Sequence, residues 1–267
     1  MNNQKVLIET KETYCSLKSD LDKVFDCLIK YNEFVEVDSK EVWVYAHVKK
    51  LLPCFNVLIK ISELDSILSM CTLLRMIVDN YSVLYLLTSY STKDEQLLRY
   101  YLYLLDAVET RSKLVTNSSE TSEECKLDNY RAIEADKIAS ERIDKLIVTY
   151  DLKKIVDETI ITKRNWKFKD AKSKEKFNWI QLYEIANIPP QDAATIQDYN
   201  SSFAHGLGIP LMLRDSEIIY HTIYTLMICN NIQFYIIKIL FQEFKEETRL
   251  IRNEINIFKY LGKIGWN

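Results

Sequence analysis

The sequence predicts an all-α protein, a multi-helix bundle with long antiparallel helices. Apolar residues recur at spacings of three, four and seven through most of the chain, which is the period of a helix with one buried face. Gly and Pro number four each in 267 residues, too few to punctuate many short strands. Hydrophobic residues make up 48% of the chain, enough at this length to bury a sizeable core.

Val6, Leu7, Tyr14, Leu17, Leu21, Val24, Phe25, Leu28 and Ile29 share the inner face of an opening amphipathic helix. A second helix is expected from about Asp38-Ser39 through Trp43, Tyr45, Leu51 and Leu52. Pro53 should kink or end it before the run Phe55 to Ile61, because proline lacks an N–H and its ring crowds the preceding turn. Ser62 followed by Asp65 reads as the cap of a third helix reaching about Tyr90. Thr92 and Glu95 have capping-box spacing, and Leu97, Leu98, Tyr101, Leu102, Leu104, Leu105 and Val108 extend a helix expected to pair antiparallel with its predecessor through a turn at Ser91. The polar stretch 115–124 reads as a connection, and as the one subdomain boundary within a single helical domain spanning 1–267. A charged amphipathic helix comes next, through Arg131, Ile138, Ile143, Leu146, Ile147 and Ile155. Pro189-Pro190 should break the helix carrying Trp179 and Tyr183, and Gly206, Gly208 and Pro210 mark the last break before a closing helix from about Asp215 to Tyr260.

A formal charge of −3 gives no global attraction to nucleic acid or anionic lipid, so phosphate binding requires a local patch. Six cysteines without a Cys-x2-Cys pair, behind a start (Met1-Asn2-Asn3-Gln4-Lys5) that has no signal-peptide core, lead us to expect reduced thiols in a cytoplasmic protein. The apolar run from Ile67 to Tyr90 is interrupted by Arg75, Asp79 and Asn80, and that from Ile218 to Phe241 by His221, Asn230, Asn231, Gln233 and Lys238. Buried core helices are therefore expected, with no membrane partner. His47, His205 and His221 lack Cys or carboxylate companions at ligand spacing, and no glycine-rich phosphate loop occurs, so neither metal nor cofactor is expected.

Few residues are placed to do chemistry. If the run from Tyr199 to His205 is helical, Tyr199, Ser202 and His205 fall at successive i, i+3 positions on one face. Such a cluster serves equally as a helix end, with Gly206 supplying the left-handed terminus. Arg75 and Asp79 lie one turn apart in an otherwise apolar helix, as an internal ion pair or, with His205 brought alongside, as a cradle for an anion such as phosphate. Arg214 and His221 are separated by six residues, which fits the pattern of Arg, four to six residues, then His in metal-independent helical ribonucleases, although His221 sits among Ile218, Ile219, Ile223 and Leu226, as a core histidine does. The segment from Lys163 to Lys174 carries Lys163, Arg164, Lys167, Lys169, Lys172 and Lys174 against Asp170, interleaved with Trp166 and Phe168. It fits a nucleic-acid grip with a stacking ring, and equally a solvated loop anchored by its aromatics.

Arg75 in an early apolar helix, then Trp166 or Trp179, a short helix, and Tyr199-x2-Ser202-x2-His205-Gly206 resemble a bacterial all-helical family similar to the HEPN superfamily, over roughly residues 60–240. The run from Asn200 to Gly206 is similar to the HEPN run in which Arg and Asn precede a His-Gly pair; Tyr199 stands where that pattern has Arg, leaving Arg75 or Arg214 to replace it. The resemblance implies a HEPN-like core, metal-independent RNA cleavage or RNA binding in bacterial stress or phage defence, and a homodimer or partner protein. Arg75, Asp79, Tyr199, Asn200, Ser202 and His205 would then form the site, and Lys163, Arg164, Trp166, Lys167 and Lys169 would contact RNA. The alternative is a noncatalytic helical interaction or scaffold protein that uses the same polar cluster for fold specificity.

Overall fold

The computed structural model describes residues 3–33, 39–64, 66–116, 123–200 and 215–261. In chain order the helices are α1 (Asn3–Asp26), α2 (Lys40–Ile61), α3 (Ile67–Thr88), α4 (Lys93–Thr116), α5 (Glu123–Thr149), α6 (Glu158–Thr162), α7 (Trp179–Ile185), α8 (Pro190–Thr195), α9 (Asp215–Glu243) and α10 (Ile251–Glu254). The protein is all-α and multi-helical; among the described residues there is no strand, only an isolated antiparallel bridge between Phe168 and Lys176. The chain folds as two compact units, one formed by the described residues of Met1–Val35, Glu41–Ser89 and Asn178–Asn267, the other by those of Glu36–Lys40 and Tyr90–Phe177.

In the first unit, α9 packs against α1 and α3, and α3 also carries α7. Tyr14, Leu17, Leu21 and Val24 of α1 follow the i, i+3, i+7, i+10 rhythm and are buried, as the helical period requires. Because α9 is apolar almost all round, it is buried almost all round: Leu226, Cys229, Ile232, Ile236, Ile237 and Leu240 have no exposure. Each such aliphatic side chain contributes roughly 1.5–3 kcal/mol of burial free energy. The Tyr14 hydroxyl donates to the Phe55 carbonyl at 2.7 Å, and Phe25 stacks on Tyr45 at 4.7 Å, fastening α1 to α2.

Some boundaries depart from expectation. Helix α2 continues through Pro53, an exposed position where the carbonyl of Lys49, deprived of its usual donor, can take water. Ser62 donates back to Ile59 at 2.6 Å and so closes α2, while α3 starts after Ser66; Asp65 lies outside the described residues. The closing helix stops at Glu243, well short of Tyr260. Tertiary bonds turn the chain there: Glu247 accepts from Lys30 at 2.9 Å and Tyr31 at 2.8 Å, and the Tyr260 hydroxyl donates to Asp20 at 2.7 Å. A straight helix would forfeit all three and expose Phe244, which is 1% exposed. Helix α7 ends at Ile185, before the prolines, where Asn187 turns the chain with φ 65°, and Pro190 opens α8 at a position where a missing N–H costs nothing.

His47 of α2 is buried against the α3 backbone, with Nε2 2.9 Å from the Asn80 carbonyl and its ring 4.7 Å from that of Trp43. Burial pushes its pKa down from 6.5 to about 4, with nearby Lys50 adding to the effect and the Asn80 carbonyl opposing it. The folded state therefore holds His47 neutral where the unfolded chain would already be protonated. Its contribution is intact above pH 6.5 and is lost as the pH falls toward 4. Urea unfolding at pH 7 and pH 4.5 should show wild type losing about 2–3 kcal/mol more than His47→Gln; equal losses would contradict this assignment.

The second unit is built on α4 and α5. Thr92 and Glu95 form the expected box, with Thr92 N–H donating to Glu95 at 3.4 Å and Glu95 N–H to Thr92 at 3.3 Å. Asp136 of α5 is 2% exposed and accepts from Arg111 and Ser112 of α4, each at 3.0 Å. Helix α5 ends at Thr149 instead of Ile155, because Asp151 takes a left-handed conformation (φ 54°). The polar connection at 115–124 falls inside this unit, and its residues 117–122 lie outside the described ones.

Two helices, Ile67–Thr88 and Glu217–Glu243, are long and apolar enough to cross a membrane by length and composition. Within the fold, 56% and 72% of their most apolar windows are buried, the pattern of core helices.

Candidate functional site

The Arg75–Asp79 pair lies on α3 where the helix faces α7 and the turn after α8. One helical turn of separation lets Arg75 Nε donate to Asp79 at 3.1 Å. The other Asp79 oxygen accepts a short hydrogen bond from Tyr183 of α7, a helix started by a full Asn178–Gln181 capping box. Burial first, and then the Asp79 charge, push the Tyr183 pKa far above the ordinary phenol value, so its hydroxyl stays a donor. Arg75 lies over the Tyr183 ring, 5.4 Å from its centre.

Arg75 also reaches the chain that comes after α8. Residues Ile196–Asn200 wind as a π-helical turn, and Arg75 Nη1 donates to the carbonyls of Ile196 and Gln197 at 3.4 Å each. The side chains of Arg75 and Asp79 are 14% and 30% exposed, so this corner is not sealed from solvent.

The backbone of Tyr199 and Asn200 belongs to that turn; their side chains, together with Ser202, His205 and Arg214, lie outside the described residues. Arg75 thus meets the first two residues of the turn whose last two, Tyr199 and Asn200, open the polar run. His221 is half-buried on α9, with its pKa lowered by burial and partly restored by Glu217. Among the described residues no group of His, Cys, Asp and Glu could hold a metal.

In the second unit the basic segment is held from within. Arg164, at φ 49°, donates to the Leu105 carbonyl at 3.3 Å and to Glu109 at 2.7 Å. Trp166 is 8% exposed, gives its indole N–H to Asp106 at 3.1 Å, and meets Tyr103 edge-on at 5.1 Å; Phe168 is fully buried. The stacking surface expected of Trp166 is turned into the unit, and Lys167 lies 5.4 Å from its ring centre. Lys169 pairs with Glu175 at 3.1 Å, leaving Lys163, Lys172 and Lys174 as exposed cations.

Arg99, which no motif singled out, centres this arrangement. It is 1% exposed, lies flat on Phe168 with 3.6 Å between guanidinium carbon and ring centre, and donates to the carbonyls of Trp166 at 3.2 Å and Phe168 at 2.7 Å. Burial lowers its pKa to about 10, with Glu95 opposing, so it remains a cation at neutral pH. The signal in the sequence was an arginine inside the buried run Leu98–Leu102, where a charge must have internal partners. Tyr183 left no such signal, since its bond to Asp79 joins residues 104 apart.

No protein-family model, curated protein or solved structure matches the chain.

Proposed function

We propose that the protein acts on or binds RNA at the Arg75 corner of the first unit as a HEPN-like helical protein, cleaving without metal, in a bacterial stress or defence setting in the cytoplasm. The observation that carries this reading is the reach of Arg75 to the backbone of Ile196 and Gln197, in the same π-helical turn as Tyr199 and Asn200 and separated from Tyr199 by Asp198. A HEPN-like core of antiparallel long helices is part of the same proposal. Arg75 takes the role of the arginine that Tyr199 replaces in the motif, and Asp79, itself held by Tyr183, fixes the guanidinium.

In this chemistry the ribose 2′-hydroxyl loses its proton to His205 and attacks the adjacent phosphorus. The P–O5′ bond breaks with return of a proton to the leaving oxygen, and a 2′,3′-cyclic phosphate remains. Arg75 stabilises the charge that builds on the phosphorane oxygens. Asn200, Ser202 and Tyr199 position the strand. The second unit, taken by itself, offers RNA phosphates the exposed Lys163 with Lys167 and Lys169, while Arg164 and Trp166 shape that segment.

A noncatalytic interaction or scaffold role is the second reading. It is favoured by the Arg75 donors already engaging Asp79 and two main-chain carbonyls, which is how a purely architectural cation behaves. Incubation of purified protein with total RNA in EDTA separates the two. The proposal expects fragments with cyclic-phosphate ends from wild type and none from His205→Ala. Intact RNA, or cleavage that survives His205→Ala, returns the second reading.

A further inference from the structure

At the C-terminal end of α3 a cavity of about 290 Å³ opens between Tyr85 of α3, Ser89 just beyond its end, Asn187 of the α7–α8 connection, and Tyr235, Lys238 and Gln242 of α9. All belong to the first unit. Tyr85 lies ten residues beyond Arg75, about 15 Å along the helix. The cavity is therefore separate from the corner assigned to RNA, and its ligand chemistry is independent of that assignment.

Lys238 is the only Lys, Arg, Asp or Glu between Ile218 and Phe241. The Lys238 side chain is half-buried in this apolar stretch, its stem covered and its charge carried into the cavity lining. Among the described residues it has no carboxylate partner; it rests on the faces of Phe234 and Tyr235, 5.7 and 5.1 Å from their centres. Its aromatic contacts fix the ammonium, but they leave its charge unmatched.

Everything else lining the cavity can donate a hydrogen bond or is apolar, and no carboxylate is present. The Tyr85 hydroxyl and the Asn187 amide make no hydrogen bond among the described residues. Burial, and then Tyr85, raise the pKa of Tyr235, so that hydroxyl remains a donor at neutral pH. Donors thus come from three elements around one cation, an arrangement that suits a tetrahedral oxyanion better than a planar carboxylate. The volume is near the lower end of the ~300–1,000 Å³ range of small-molecule sites, so it admits more than a bare ion.

We propose that this cavity binds a small phosphate monoester, with its oxyanion on Lys238 and hydrogen bonds from Tyr85, Ser89 and Asn187. The test is thermal unfolding of the full chain with inorganic phosphate as the probe, against chloride and acetate at equal ionic strength. Phosphate at about tenfold its Kd should raise the wild-type Tm by about 2–4 °C, with no rise in acetate. Lys238→Met, which keeps the stem on Tyr235, should abolish the rise, and Tyr85→Phe should reduce it. The proposal is overturned by no rise in wild type, by an equal rise in acetate, or by an undiminished rise in Lys238→Met. Should Lys238→Met fail to fold, an undiminished rise in Tyr85→Phe overturns it instead.

Discussion

Arg99→Ala is expected to destabilise the second unit by about 3–5 kcal/mol, the sum of a cavity left by a large buried side chain and of carbonyls stripped of their donor. The carbonyls are those of Trp166 and Phe168, both reached by the one guanidinium nitrogen Nη1. The cavity would open beneath the Phe168 ring, which has no exposure. Arg99→Lys should recover little, because a point charge with three rotating donors cannot both lie flat on Phe168 and reach those carbonyls. Since the chain folds as two units, global unfolding need not be two-state. Hydrogen exchange across residues 164–177 is the sharper readout: the variant should lose protection there while α1 and α9 keep theirs. A loss below about 1 kcal/mol would mean that Arg99 fills space without organising the segment.

The second large effect is catalytic. If the Arg75 corner is the site, Arg75→Gln should slow RNA cleavage by about 10²–10³-fold, the usual loss when one transition-state donor is removed. Its cost in stability should be only about 1–3 kcal/mol, from the bonds to Asp79, Ile196 and Gln197. Tyr183→Phe takes away only the hydrogen bond that orients Asp79 and should act more weakly on the rate than Arg75→Gln. Loss of rate that tracks loss of folded protein in every variant would leave these residues architectural.

The features foreseeable from the residues are those that depend on near neighbours. The inner face of α1 from Tyr14 to Val24, the Thr92–Glu95 box and the burial of α3 and α9 appear where expected, whereas Ile29, expected on that inner face, lies beyond the end of α1 at Asp26 and is 68% exposed. The end of α9 could not be foreseen: its continuation to Tyr260 has good helical periodicity, and only distant partners, Lys30, Tyr31 and Asp20, turn the chain away. Pro53 deceived for a related reason, since its cost depends on whether the unmatched carbonyl can meet water. The division into units at Ser89 and Phe177 reflects long-range packing and has no local mark comparable to the polar stretch 115–124. At the site, the Arg75–Asp79 pair was legible as an i, i+4 pair, whereas the engagement of Arg75 with the π-helical turn joins residues more than 120 apart.

A double-mutant cycle on Arg75→Gln and His205→Ala, read as the single-turnover rate of RNA cleavage with folding monitored in parallel, tests the joint action of these two residues most directly. Groups that serve one transition state are strongly non-additive, so the double variant should be no slower than the slower single variant, within about threefold. Rate losses that multiply, or a wild-type protein that leaves RNA intact, would show that the guanidinium on α3 and the imidazole beyond the π-helical turn do not share a site.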